Sequence, residues 1–157
     1  MRVPSATVEL IARRYINAAY IGLGHNRPVE ERQFKSFFKL GPVGIAELWY
    51  ALEETCGGCV YSDGAGQVLP FTSVGVEHLL LCLHFMKTYD SVSCGASLFS
   101  MSKKTYRKYF WAMVSYLGHL AQCTVSTSVS TIFLLCKNTF YSYLCTFWYR
   151  FSWPTDS

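Results

Sequence analysis

Apolar residues recur at helical intervals through most of this chain. Val8, Ile11, Tyr15 and Ala19 fall three to four residues apart, which predicts a first helix over Ala6–Tyr20 with Ser5 or Thr7 as its cap. GLGHNRP breaks it, since two glycines, Asn26 and Pro28 cannot continue a helix. A second helix follows over Glu30–Leu40, with Phe34, Phe37 and Phe38 inward and Gly41 at its end. Pro42 starts a third at the position where a missing N–H costs nothing, and Ile45, Leu48, Trp49 and Leu52 carry its stripe to about Glu54. CGGCVYSDGAGQVLP reads as a loop, rich in glycine and closed by Pro70.

The pattern resumes at Val74–Tyr89 with Val76, Leu79, Leu80, Leu83 and Met86. LLLCLHFM is apolar all round, which places this helix at the centre of the core. Ser91 or Ser93 caps a short helix through Phe99, and SMS is a turn. Ser102 caps a long helix from Lys103 to about Leu120, with Tyr106, Phe110, Met113 and Leu117 on one face. The expected fold is all-α: a multi-helix domain ending in a trihelical helix-turn-helix, then an irregular hydrophobic tail. Its divisions are an N-terminal helix and linker (1–29), a helical domain (30–120) and the tail (121–157).

Charge changes this picture at one place. The net charge of +4 on 157 residues is modest. Yet no acidic residue occurs from Ser91 to Thr155, while Lys103, Lys104, Arg107 and Lys108 crowd the first turns of the last helix. Lys103 and Arg107, like Lys104 and Lys108, are neighbours four residues apart. A helix buried on one side and basic near its start suits a helix-turn-helix DNA reader. The cations would neutralise phosphates, and Ser102 and Thr105 at the helix start could reach phosphates or base edges. A solvated helix face is the plainer reading of the same cluster. Phe110, Trp111 and Tyr116 would make a base-stacking set, but Phe110 lies on the inward stripe and Trp111 is expected beside it in the core.

Other chemistry finds little support. Seven cysteines without a regular framework, and no continuous apolar run at the N-terminus, point to reduced thiols and a nuclear or cytoplasmic location. Cys56-Gly57-Gly58-Cys59 would need a second ligand pair to hold zinc, or a strand–helix context to act as a redox dithiol. Only Cys82 and His84 are near candidates. His78 and His84, six apart on an apolar helix, read as core histidines. Gly22-Leu23-Gly24 lacks the third glycine of a phosphate loop. No cofactor, metal or small-molecule substrate is expected. The apolar stretch Thr131–Tyr149 approaches the length of a membrane span, but Lys137 falls inside it at a cost of roughly 2.5–3.5 kcal/mol, so a membrane partner is not expected.

Two stretches, FKSFFKLGPVGIAELWYALEE and HLLLCLHFMKTYDSVSCGASLFSMSKKTYRKYFWAMVSYL, resemble the N-terminal region of PIF/Harbinger-type transposases, members of the DDE superfamily. The matching features are the Phe34/Phe37/Phe38 helix running into Gly41, the helix bearing Trp49, the His78–Leu79–Leu80 helix start, Phe85 to Tyr89, and Phe99 to Lys108 with Trp111 beyond. Together they cover roughly residues 32–120. The resemblance implies that this region binds transposon DNA. It also implies a following catalytic domain with three metal-binding carboxylates. Here Asp156 is the one acid after Asp90, so two-metal phosphoryl transfer has no ligands in the tail, and a truncated, catalytically incompetent copy or a read-through tail is the expectation. The alternatives are a helical module that meets a partner protein, such as a full-length transposase, through Trp49, Phe37 and the tail, or a small protein anchored in a membrane by residues 131–149.

Overall fold

The structure is a computed structural model and describes residues 3–20, 31–62 and 66–126. Its elements are α1 (Ser5–Tyr20), α2 (Glu31–Phe38), α3 (Pro42–Cys56), β1 (Val60–Ser62), β2 (Val68–Pro70), a single 3₁₀ turn (Phe71–Ser73), α4 (Val76–Thr88), α5 (Val92–Leu98) and α6 (Lys103–Ser126). The protein is an all-α multi-helix domain with one small hairpin. Compactness divides the chain at Leu120, into units 1–120 and 121–157, and α6 runs six residues past that point. The GLGHNRP break and the apolar stretch Thr131–Tyr149 lie outside the described residues. Among the described residues no helix is long and apolar enough to cross a membrane.

α4 is the centre of the first unit. Every residue from His78 to Phe85 is buried, on all sides of the helix. Its continuous apolar run demands that environment, and α1, α2 and α6 supply it. α1 packs against α2, α3, α4 and α5. The inward line of α1 differs from the one expected: Val8, Ala12 and Ile16 are buried, Ile11 and Tyr15 only half-buried, and Ala19 exposed. Tyr15 flanks that line and lays its ring 4.2 Å from Phe99. Ser5 and Thr7 are inside the helix, whose first N–H groups at Thr7 and Val8 bond the carbonyl of Pro4.

α2 ends at Phe38, short of Gly41. Lys39 takes the left-handed conformation (φ 67°) and its N–H closes the last turn on the carbonyl of Lys35. Gly41 instead precedes α3 with extended backbone, and Pro42 opens that helix as expected. Ile45, Trp49, Leu52 and Cys56 form its buried line.

The stretch expected to be a loop contains an antiparallel hairpin. Val60 pairs with Pro70, Tyr61 with Leu69 and Ser62 with Val68. Leu69 points inward while Val60 and Val68 face solvent, the alternation of a half-buried strand. Strands this short are marginal alone. A distant side chain holds them: the Tyr116 hydroxyl of α6 donates to the Leu69 carbonyl (2.5 Å) and accepts from the Tyr61 N–H (3.2 Å). Phe71 then fills the space between Trp49, with ring centroids 5.3 Å apart, and Tyr116, at 5.1 Å.

Candidate nucleic-acid interface

The candidate site is built by α5, the turn after it and α6. Ser91 caps α5, its Oγ accepting from the Cys94 N–H at 3.2 Å. α5 ends in a paired closure of the Schellman type. The Met101 N–H bonds the Ala96 carbonyl (2.8 Å), and the Ser100 N–H bonds that of Ser97 (3.1 Å). Ser100 takes the left-handed conformation there, φ 53°. The chain thus leaves α5 and enters α6 within Phe99–Ser102. Ser102 caps α6, its Oγ accepting the Thr105 N–H at 3.1 Å.

Packing holds the two helices at a short distance. A Cβ on Gly95 would lie 2.5 Å from the Tyr106 hydroxyl and 2.6 Å from the ring carbon that bears it. Glycine is therefore what lets α5 rest on the Tyr106 ring. Tyr106, Phe110, Met113 and Leu117 are all buried, as their spacing required. Phe110 stands 4.6 Å from Phe85 of α4, ring to ring. Burial raises the Tyr106 phenol above its usual range, and its hydroxyl has no hydrogen-bond partner among the described residues.

The opposite face of α6 carries the charge. Lys103, Lys104 and Arg107 are exposed and Lys108 is half-buried. Among the described residues none of the four pairs with an acid; the carboxylate–cation pairs of the fold are Glu9–Arg13 and Glu31–Lys35. Lys104, Lys108, Trp111 and Ser115 follow one another by four, three and four residues, so they form one row along the helix. Lys103 and Arg107, each one residue earlier, flank that row on one side. Further along the same face, His119 and Gln122 are exposed.

Ser102 caps α6 as expected, and its hydroxyl and that of Thr105 are bonded to each other at 2.8 Å. Trp111 is not a core residue: it is 36% exposed and shares the cationic face. Its position three after Lys108 and seven after Lys104 is the signal that shows this. Of the stacking set, Phe110 and Tyr116 are buried. Tyr116 has a structural role that its sequence context does not reveal, because nothing in the glycine-rich stretch announces the hairpin it holds.

The remaining titratable groups serve the fold. His78 Nδ1 accepts the Gly75 N–H at 2.9 Å, and its ring stacks 3.8 Å from Tyr109 of α6. His84 sits among Phe37, Phe38 and Phe99, with Nε2 4.0 Å from Asp90. Burial lowers the pKa of both histidines, against the pull of Glu77 on His78 and of Asp90 on His84. Cys56 and Cys59 span a turn closed by the Cys59 N–H on the Cys56 carbonyl (2.8 Å). The buried Cys56 directs its Sγ to the Tyr116 carbonyl, 3.5 Å away. Among the described residues no three His, Cys, Asp or Glu side chains come together as metal ligands.

Comparison with protein-family models, with curated proteins and with solved structures found no match for this chain.

Proposed function

We propose that this chain binds duplex DNA through the outward face of α6, as the front part of a transposase-like protein. One observation carries the reading: four cations stand on a single helix face with no acidic partner among the described residues, in a region from Ser91 to Thr155 that contains no acid at all. Unpaired cations on a rigid helix gain most from a polyanion, because each phosphate they neutralise releases condensed counterions. The amino end of α6 adds its own partial positive charge to theirs. The helix is set for this use by α5 beneath it and the tight turn before it, an order of parts that suits a helix-turn-helix. The transposase part of the proposal rests on the motif series from Phe34 to Trp111. It assigns these residues a binding role, with the chemistry belonging elsewhere in such proteins.

In the experiment, the full chain is passed over immobilised duplex DNA with charge reversals at two places. Lys104→Glu with Arg107→Glu should abolish retention. Arg13→Glu on α1, which also removes a basic charge, should leave retention nearly intact. Equal loss in both variants would mean that net charge alone holds the DNA and that α6 is not the interface.

A protein-contact reading draws on a different place. Leu10 and Val43 are 61% and 60% exposed. Val43 lines a cleft of about 420 Å³ with Glu9, Glu31, Phe34 and Lys35. A partner protein would meet the chain there, and not through Trp49, which is 4% exposed and stacked on Phe71.

A further inference from the structure

We infer that the cleft bordered by α1, α2 and α3 is a docking surface for a second copy of this chain, related to the first by a two-fold axis. The inference rests on the protein-contact reading of this cleft and names its occupant; it does not depend on DNA binding by α6. The surface joins a groove to a ridge. Val8, Ala12 and Ile16 turn inward from α1, so Leu10, two residues from both Val8 and Ala12, stands on the opposite side of that helix. It is 61% exposed. Glu9, the residue before it, lines the cleft of about 420 Å³, together with Glu31, Phe34, Pro42 and Val43. Val43 is as exposed as Leu10, while Phe34 is buried. An apolar ridge beside a groove is what two copies need to fit each other. Under two-fold symmetry the same patch serves both partners, and the ridge of each enters the groove of the other.

Charge selects a copy of this chain as the occupant. The ridge and groove carry Glu9, Arg13, Glu31 and Lys35, two acids and two bases that cancel. A surface of that kind meets its own copy without like-charge repulsion. The order of the charges adds direction. On α1 the acid precedes the base by four residues, about one helical turn. Two such helices laid antiparallel about a two-fold axis set Glu9 of each copy opposite Arg13 of the other. Within one chain the Glu9–Arg13 and Glu31–Lys35 pairs are solvent-exposed and contribute little, so exchanging partners across the interface costs little. The outward face of α6 offers no such match to its own copy, because four cations would meet four cations.

The test is the molar mass of the full chain in solution, followed by sedimentation over a range of concentrations. The wild type should pass from monomer to dimer as concentration rises. Leu10→Glu and Val43→Glu should each weaken the dimer at least about ten-fold, since every dimer loses two buried apolar side chains. Val60→Glu, the same kind of change on the exposed face of the hairpin, should leave it unchanged. Exchanging the charges of α1, Glu9→Arg with Arg13→Glu, should give a chain that pairs with itself and not with the wild type, because mixing the two sets like charges opposite each other. A dimer unchanged in both Leu10→Glu and Val43→Glu would overturn the inference and the protein-contact reading together. A wild type that stays monomeric at every concentration would overturn the inference alone. So would a charge-exchanged chain that mixes freely with the wild type.

Discussion

α4 and α6 meet in the same core, yet they carry opposite kinds of information. α4 is buried on every side from His78 to Phe85, so each of its side chains answers to a neighbour within the protein. α6 is divided lengthwise. One face, Tyr106 to Leu117, is as buried as α4, while the other presents Trp111 and four cations that pair with no acid among the described residues. On the proposed reading, the contrast separates stability from binding. Changes in α4 should act on folding alone. Changes on the outward face of α6 should act on the partner and leave the fold untouched.

The sharpest division comes from Leu80, fully buried in α4. Leu80→Ala should lower stability by about 2–5 kcal/mol, through the transfer energy of the deleted methyl groups and the cavity left behind. Chemical denaturation followed by circular dichroism measures this. A decrease of less than about 1 kcal/mol, below the range for such a truncation, would show that α4 is not the centre of the core. At the joint between α5 and the buried face of α6, Gly95→Ala should cost about 1–3 kcal/mol, because the new Cβ overlaps the Tyr106 ring. Tyr106→Phe should be neutral or stabilising, since the hydroxyl it removes is buried without a partner among the described residues. If Gly95→Ala melted like the wild type, the close approach of α5 and α6 would be refuted.

Acid should act on α4 before it acts on α6. Burial depresses the His84 pKa, so the folded state holds this ring neutral while the unfolded chain takes up a proton near its ordinary value of 6.5. The unfolded state then binds more protons, and stability falls as pH drops below 6.5 until the depressed folded value is reached. His78 acts in the same direction. Melting temperature should therefore decline as pH is lowered from neutral through the ordinary histidine range, and less steeply in His84→Gln. An identical decline in that variant would place the acid sensitivity elsewhere. The smallest effect is expected in the turn. Ser100 holds a left-handed conformation that glycine adopts without strain, so Ser100→Gly should add about 0.5 kcal/mol. A fall in stability would mean that the serine side chain contributes something the backbone geometry does not show.

Much of this division is legible from residue spacing. The period of Tyr106, Phe110, Met113 and Leu117 marks the buried face of α6, and the unbroken LLLCLHFM run marks the burial of α4. Ser102 and Pro42 signal helix starts through local chemistry, which sequence shows directly. What escapes such a reading depends on partners far away in the chain. The hairpin is two three-residue strands held by Tyr116, whose bonds to Tyr61 and Leu69 span 55 and 47 residues. α1 turns its Ala12 line inward because of what it packs on, and no count of its own apolar residues reveals that. Left-handed turns at Lys39, Tyr89 and Ser100 use residues other than glycine, so the usual marker of a helix end is missing. Trp111 misleads because a tryptophan in an apolar helix suggests a core, although its spacing from the lysines puts it on their face.

On the proposed reading, the outward face of α6 holds duplex DNA by its cations. The affinity of the full chain for a duplex oligonucleotide, measured over a range of salt concentrations, tests it most directly. Replacing Lys103, Lys104, Arg107 and Lys108 by Ala should weaken binding and flatten the plot of log affinity against log salt. The slope should change by about 0.9 for each phosphate that is no longer neutralised, with the melting temperature unchanged. A quadruple variant that keeps the wild-type slope would show that these cations do not meet phosphates, and would contradict the account.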